Sequence, residues 1–276
     1  MRRIVLDSPH RRNAQSAKLW RELSDVGTTL ADDPTVHCIV ITGHSWFSSG
    51  IDLAEFTEGG ILQRIADRGR TDLSAAVGMV EELQDAFLWP TRVSVPVVAA
   101  VRGVALGAGC ELALACDVRI VADDAILSLP EVQKGVVPDL GGCDRLRELI
   151  GAERALDLIV TSRSITGRDA VALGLALRHE RDDKVDPAAL AYAQMIAGAP
   201  NVAVRFAKRA VQALDEAASR HIAAQGTVAG LVAGTNRLPR SSQEGPVPST
   251  AVPQPTRTEA QRTRTVTNDE NVEQVR

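Results

Sequence analysis

Two glutamates, Glu111 and Glu131, stand where a carboxyl group could carry protons. Glu111 lies in VRGVALGAGCELALA, residues 101–115, where a β-branched run meets three glycines and then a helix-forming stretch. Such a turn presents backbone N–H groups at a helix N-terminus, where free donors and the dipole favour negative charge. Glu131 follows Pro130 in the apolar stretch LSLPEVQKGVVPDL, residues 127–140, where partial burial would raise its pKa toward a useful acid–base range. A third stretch, GHSWFSSGIDLAEF, residues 43–56, ends a strand and opens a short helix at Gly50-Ile51-Asp52. Each stretch alone reads equally as a tight turn, a βα loop or a glutamate at a helix start. Two phosphate-binding readings fail: no Lys-Ser/Thr follows the glycines, and Leu112 stands where a dinucleotide fingerprint needs its third Gly. Taken together, two N–H donors aimed at one point form an oxyanion hole, and two carboxyls beside it can exchange protons with a polarised substrate.

In these residues the chain resembles the enoyl-CoA hydratase/isomerase (crotonase) family, from near Asp7 to about Gly198. Pro9-His10-Arg11-Arg12-Asn13-Ala14 is similar to the family's P-x-x-R-N-A turn, and Phe47 to Leu53 to its F-x-x-G-x-D-L. Gly107 to Glu111 is similar to G-G-G-x-E, and Pro130-Glu131 through Pro138 to P-E-x-x-x-G-x-x-P. The resemblance implies a crotonase-type α/β spiral of ββα units, with the backbone N–H groups of Ile51 and Ala108 as the oxyanion hole. It implies Glu111 and Glu131 as the hydratase pair, and water added syn across a trans-2-enoyl-CoA. Arg12, Asn13, Ala14, Gly50, Asp52, Leu53 and Gly107 would hold the substrate and its CoA portion. No permanently bound cofactor is expected; coenzyme A arrives as part of the substrate, and no metal is expected. A homotrimer or homohexamer is implied.

Asp139 is a further carboxylate, eight positions after Glu131, where the family's dienoyl-CoA isomerase branch carries an acid. Its alternative reading is an N-cap for a helix starting near Leu140. Isomerase chemistry with Glu131 and Asp139 is therefore the second expectation, and a non-catalytic acyl-CoA-binding homologue the third. Trp46 and Phe47 are candidates for the acyl-pocket wall, and Trp20 and Trp89 for core or wall.

The elements that must position these groups alternate. VHCIVIT (36–42), VPVVAAV (95–101) and VRIVA (118–122) read as buried strands, with helical spacing over 16–30 and 75–87. That alternation predicts an α/β protein. After about residue 144 the sequence predicts helices only, over 146–160, 168–173, 187–198 and 202–218. Thr166 and Asp169 form a capping box, and Asp186-Pro187 an N-cap with Pro at N1. The expected division is a core domain over 1–186, a helical oligomerisation region over 187–238 and a disordered tail over 239–276. The tail has no Leu, Ile, Met, Cys or aromatic residue, too little apolar surface to offset ordering. Since the chain starts close to the family's second strand, an edge strand is expected to be missing or shortened.

The 276 residues carry a formal net charge of −4, which creates no global field for nucleic acid or an anionic membrane. The opening apolar run, Ile4-Val5-Leu6, is too short for a signal peptide or a membrane span. Cys38, Cys110, Cys116 and Cys143 form no CxxC pair and no metal-ligand spacing with the five histidines, which suits a reducing cytoplasm.

Overall fold

The computed structural model describes residues 1–213, 220–225, 227–228 and 272–275. In chain order the regular elements begin with β1 (Arg2–Leu6), α1 (Ala17–Asp32), β2 (Ile39–Gly43), α2 (Ile61–Gly69), α3 (Leu73–Phe87) and α4 (Trp89–Arg92). There follow β3 (Val97–Val101), β4 (Val104–Leu106), α5 (Ala108–Ala115), β5 (Val118–Ala122) and β6 (Ile126–Ser128). Then come α6 (Gly142–Ile150), α7 (Ala152–Thr161), β7 (Ile165–Thr166), α8 (Gly167–Leu173), β8 (Arg178–Glu180), α9 (Val185–Ala197), α10 (Asn201–Val211) and β9 (Val272–Val275).

β2 and β3 are buried at every position. Such strands must be covered on both faces, which is the condition of a parallel sheet interior. They sit in a parallel six-stranded sheet of order β8-β5-β3-β2-β1-β9; a second sheet has the order β4-β6-β7. The spiral logic is visible in two successive ββα units, β3-β4-α5 and β5-β6-α6. Their first strands pair in the large sheet, with Val98 opposite Val118, and their second strands in the small one, with Val104 opposite Ile126. Repeating the unit carries each helix N-terminus to the same side of the sheets, where the cleft lies.

The expectation that strands end near residue 144 is corrected by β7, β8 and β9. β7 and β8 are two and three residues long, too short to produce an alternation pattern. The helix expected over 146–160 is two helices, α6 and α7, broken at Gly151, whose φ of +81° suits glycine. The Thr166/Asp169 capping box is present as expected. Asp186 is not an N-cap: α9 starts at Val185, and the Asp186 carboxylate instead accepts the Thr42 hydroxyl at 2.7 Å. The helix expected over 202–218 runs as α10 to Val211, and residues 214–218 lie outside the described residues.

The tail also needs correction in part. Val272–Val275 forms β9, parallel to β1, with Arg3 opposite Val272 and Leu6 opposite Val275. Val275 is buried, Val272 is half-buried, and Glu273 and Gln274 are exposed, so a polar composition did not preclude a strand at an open edge. The edge expected to be vacant beside β1 is thus occupied by β9. Residues 239–271 and 276, also expected to be disordered, lie outside the described residues.

Candidate active site

α5 is the element on which the site is built. Gly107 precedes it with φ +52° and ψ −125°, a conformation open in practice only to glycine. A Cβ there would also stand 3.0 Å from Glu131 Oε1. This sharp entry leaves Ala108 as the first helical residue, and its N–H finds no acceptor within the described residues. Three positions on, Glu111 lies on the same helix face, and it is only 3% exposed.

The second N–H comes from the loop after β2. Ser48 is stitched to β4, its N–H donating to Val104 O at 2.9 Å and its carbonyl accepting Leu106 N–H at 3.0 Å. Gly50, at φ +89°, is pressed against the same strand: a Cβ there would lie 2.4 Å from Leu106 O and 3.6 Å from Ala108 N. Ile51 follows, and its N–H also has no acceptor among the described residues. The helix expected to open at Gly50 is a short 3-10 turn over Leu53–Phe56, capped by the Asp52 carboxylate accepting Ala54 N–H at 3.0 Å. Ile51 itself is extended, bridged to Gln15.

Gly50, Ile51, Gly107, Ala108, Glu111, Glu131 and Asp139 all line one cleft, with about 740 Å³ of space that opens to solvent. Its apolar wall comes from Trp20 of α1, Leu62 and Ile65 of α2, and Val80 and Leu83 of α3. The wall is therefore Trp20 rather than Trp46 and Phe47. Phe47 is core, and Trp46 lies under the Arg12 guanidinium, 5.1 Å from its ring centroid. α2 went unanticipated in the sequence, although its Leu62–Ile65 spacing is helical.

The acidic groups are perturbed by their surroundings. Burial drives the Glu111 carboxyl well above its ordinary range, and the charge of Glu131 pushes the same way. Against this, Gly142 N–H donates to Glu111 Oε1 at 3.1 Å and stabilises the ionised form. The sequence assigned no role to Gly142; a Cβ there would come within 2.8 Å of that oxygen. Glu131 is raised by desolvation, and its Oε2 is buried with no hydrogen-bond partner. Asp139 is raised by desolvation too. It does not cap α6, whose N-cap is Gly141 without a side-chain bond; the Asp139 carboxyl is left for the cleft.

The residues expected to hold CoA divide. Gly50 and Gly107 line the cleft, whereas Arg12, Asn13, Ala14, Asp52 and Leu53 do not. Asn13 is buried, and its amide donates to Trp46 O at 2.7 Å and Phe47 O at 3.2 Å while accepting Ser8 N–H at 2.8 Å. It pins the loop carrying Gly50. Asp52 pairs with Arg11, and Leu53 is 71% exposed. Lys134 is a cation on the cleft lining, exposed to solvent, that faces Glu131. Arg145 lies elsewhere, its guanidinium bound to Leu114 O and Glu148.

The sequence model of the enoyl-CoA hydratase/isomerase family matches residues 1–231. The chain belongs to that family. A probable enoyl-CoA hydratase of Mycobacterium tuberculosis is 37% identical over 209 residues, covering 75% of this chain and 76% of the relative. The crotonyl-CoA hydratase of Syntrophomonas wolfei is 32% identical over 209 residues, with the same coverage. Among solved structures, a "putative enoyl-CoA hydratase" from Thermobifida fusca in complex with acetoacetyl-CoA superposes with a TM-score of 0.72 at 36% identity, covering 84% of this chain and 91% of that one. The crotonase fold expected from the motifs is therefore the fold of this chain.

Proposed function

We propose that this member of the enoyl-CoA hydratase/isomerase family is an enoyl-CoA hydratase that adds water syn across trans-2-enoyl-CoA. The observation that carries the reading is the pair of glutamates, Glu111 and Glu131, in one cleft with two unengaged N–H groups, Ile51 and Ala108. The thioester oxygen sits between those N–H groups. As water adds to Cβ, negative charge moves onto that oxygen, and each donor stabilises the enolate by about 3–4 kcal/mol.

Burial raises the pKa of both carboxyls, and the charge of Glu131 raises Glu111 further. Hydration needs one carboxyl ionised and one protonated. The Gly142 N–H favours charge on Glu111, which orients water and takes its proton. Glu131, with no donor on Oε2, holds the proton and delivers it to Cα. The apolar wall from α1, α2 and α3 receives the acyl chain and keeps bulk water from the enolate.

The CoA portion enters at the open end, where Lys134 is the cation available on the cleft lining for phosphate or pantetheine oxygens. Arg12, Asn13, Ala14, Asp52 and Leu53 support CoA binding through the backbone they shape rather than by lining the acyl cleft. A homotrimer or a dimer of trimers is proposed, supported by exposed Met195 and Val211 beside a groove between α6, α9 and α10; sedimentation tests it. The four free cysteines accord with a cytoplasmic location.

Purified protein should consume crotonyl-CoA, read as loss of enoyl-thioester absorbance, and Glu131→Gln should nearly abolish this; activity that survives the change would sink the assignment. Dienoyl-CoA isomerisation is the second reading, favoured by Asp139 in the same cleft. It requires turnover of a 3,5-dienoyl-CoA that is lost in Asp139→Asn, with little hydration of crotonyl-CoA.

A further inference from the structure

Gln15 is wholly buried, yet neither the proton chemistry nor the acyl wall uses it. A buried amide normally has its hydrogen-bonding groups engaged, and the partners of this one lie on both sides of the site. Its Oε1 accepts the Trp20 indole N–H at 2.8 Å, and its Nε2 donates to Ser48 Oγ at 3.0 Å. Because an indole nitrogen can only donate, the orientation of the amide is fixed: oxygen to Trp20, nitrogen to Ser48. Ser48 Oγ also accepts Gly50 N–H at 3.1 Å and donates to Asn13 O at 2.8 Å. That fills the hydroxyl's two acceptor sites and its one donor.

The backbone of Gln15 completes the arrangement. Its N–H donates to Gly50 O and its carbonyl accepts Asp52 N–H, both at 2.7 Å. Gly50 C=O and Ile51 N–H belong to one planar trans peptide, so they point in opposite directions. Holding the carbonyl toward Gln15 therefore turns the Ile51 N–H away from it, into the cleft. Gln15 thus touches the peptide that carries the first oxyanion donor, the serine that fixes its preceding residue, and the tryptophan on the acyl wall. Trp20 is braced in turn by Phe87, edge to face at 5.6 Å between centroids.

We propose that Gln15 is a positioning residue for the reaction, tying the Trp20 wall of the acyl cleft to the peptide that aims the Ile51 N–H at the thioester oxygen. The proposal deepens the hydratase reading and rests on its oxyanion hole. Acetoacetyl-CoA is the probe, a β-keto thioester whose enolate absorbs in the near ultraviolet; the bound enolate fraction reports oxyanion stabilisation without turnover. Gln15→Met keeps the side-chain length while removing both amide bonds.

The expected result is a fall in kcat on crotonyl-CoA of about thirtyfold, within the range that ångström-scale misplacement causes. The bound enolate fraction should fall with it, while KM and the affinity for CoA itself stay within about twofold, because CoA has no acyl carbonyl to place. Unchanged kcat and enolate fraction would overturn the proposal. So would a parallel loss of CoA affinity with the enolate fraction preserved, the pattern of a merely structural residue.

Should Gln15→Met not fold, Trp20→Phe decides. It keeps a ring on the wall but leaves Gln15 Oε1 without its donor, and a wild-type enolate fraction there refutes the coupling. A parent protein that enolises acetoacetyl-CoA without hydrating crotonyl-CoA removes the hydratase assignment and leaves the Gln15 test standing. A parent that does not enolise the ligand removes both.

Discussion

The cleft and the seat of α10 both bury charge, and they treat it in opposite ways. Lys208, on α10, is buried with its ammonium donating to Pro90 O at 2.8 Å and Val95 O at 2.9 Å, and pairing with Asp117 at 2.7 Å. Its three donors have three acceptors. Asp117 is engaged as well, by Val97 N–H and Gln212. Arg119 behaves likewise, spreading its guanidinium over the carbonyls of Ala113, Leu114 and Cys116. Those are among the carbonyls that the end of α5 leaves without partners. Burial lowers its pKa only to about 10, so it stays charged at neutral pH. In the cleft, by contrast, Glu131 has a buried oxygen with no partner, and Glu111 has the charge of Glu131 as a neighbour. Fully satisfied buried charge builds architecture; incompletely satisfied buried charge is what a reaction can use.

The widest separation between the two regions should come from Glu131→Gln. We expect kcat for crotonyl-CoA to fall about a thousandfold, as removal of a general acid typically does, with the melting temperature unchanged or higher. A protein that unfolds on this substitution would place Glu131 with Lys208. The mirror image is Lys208→Met, which strands Asp117 and removes three hydrogen bonds. Breaking a buried pair of this kind costs about 3 kcal/mol or more, read by urea titration, with kcat per folded molecule near the parent's.

Gly142→Ala tests whether the Gly142 N–H on Glu111 matters. The added methyl must displace the carboxyl or the 138–142 turn, and we expect kcat to drop about tenfold at nearly constant KM. Smaller still is a pH effect on stability. Glu111 and Glu131 have folded pKa values above the ordinary 4.5. Their contribution to stability is therefore present below pH 4.5 and is lost as pH rises through the folded values. Glu111→Gln should remove part of that loss, raising the melting temperature relative to the parent by about 2–4 °C at neutral pH and by less at pH 4.5. Asp139→Asn should be the mildest, changing hydration by no more than about threefold, since water addition needs no third carboxyl. A larger loss moves the reaction toward the isomerase reading.

The contrast also explains what the sequence could convey. Glu111, Glu131, Ile51 and Ala108 were singled out through the resemblance to the family's motifs, since each stretch alone reads equally as a turn, a loop or a helix start. Gly142 and Gln15 were not, because their roles depend on partners 31 and 33 residues away, Glu111 and Ser48. Strands β2, β3 and β5 declared themselves through continuous β-branched runs; β7 and β8 are too short to show a period. Lys208 carried no signal in the sequence, since nothing local in NVAVRFAKRAV shows that Asp117 will meet it. β9 was missed for a related reason: an edge strand this polar forms only where a neighbour's backbone is open to pair with it, and only the assembled sheet supplies that neighbour.

The placement of Ala108 and Glu111 one turn apart on α5 divides the labour of the molecule. On the proposed reading, the group that stabilises the enolate and the group that handles water ride on the same rigid rod, which Arg119 holds at its far end, so their mutual geometry moves as a block. The surfaces that meet the acyl chain belong to α1, α2 and α3 instead. Chain-length preference can therefore drift or be redesigned through Leu62, Ile65, Val80 and Leu83 while the reaction itself is inherited intact.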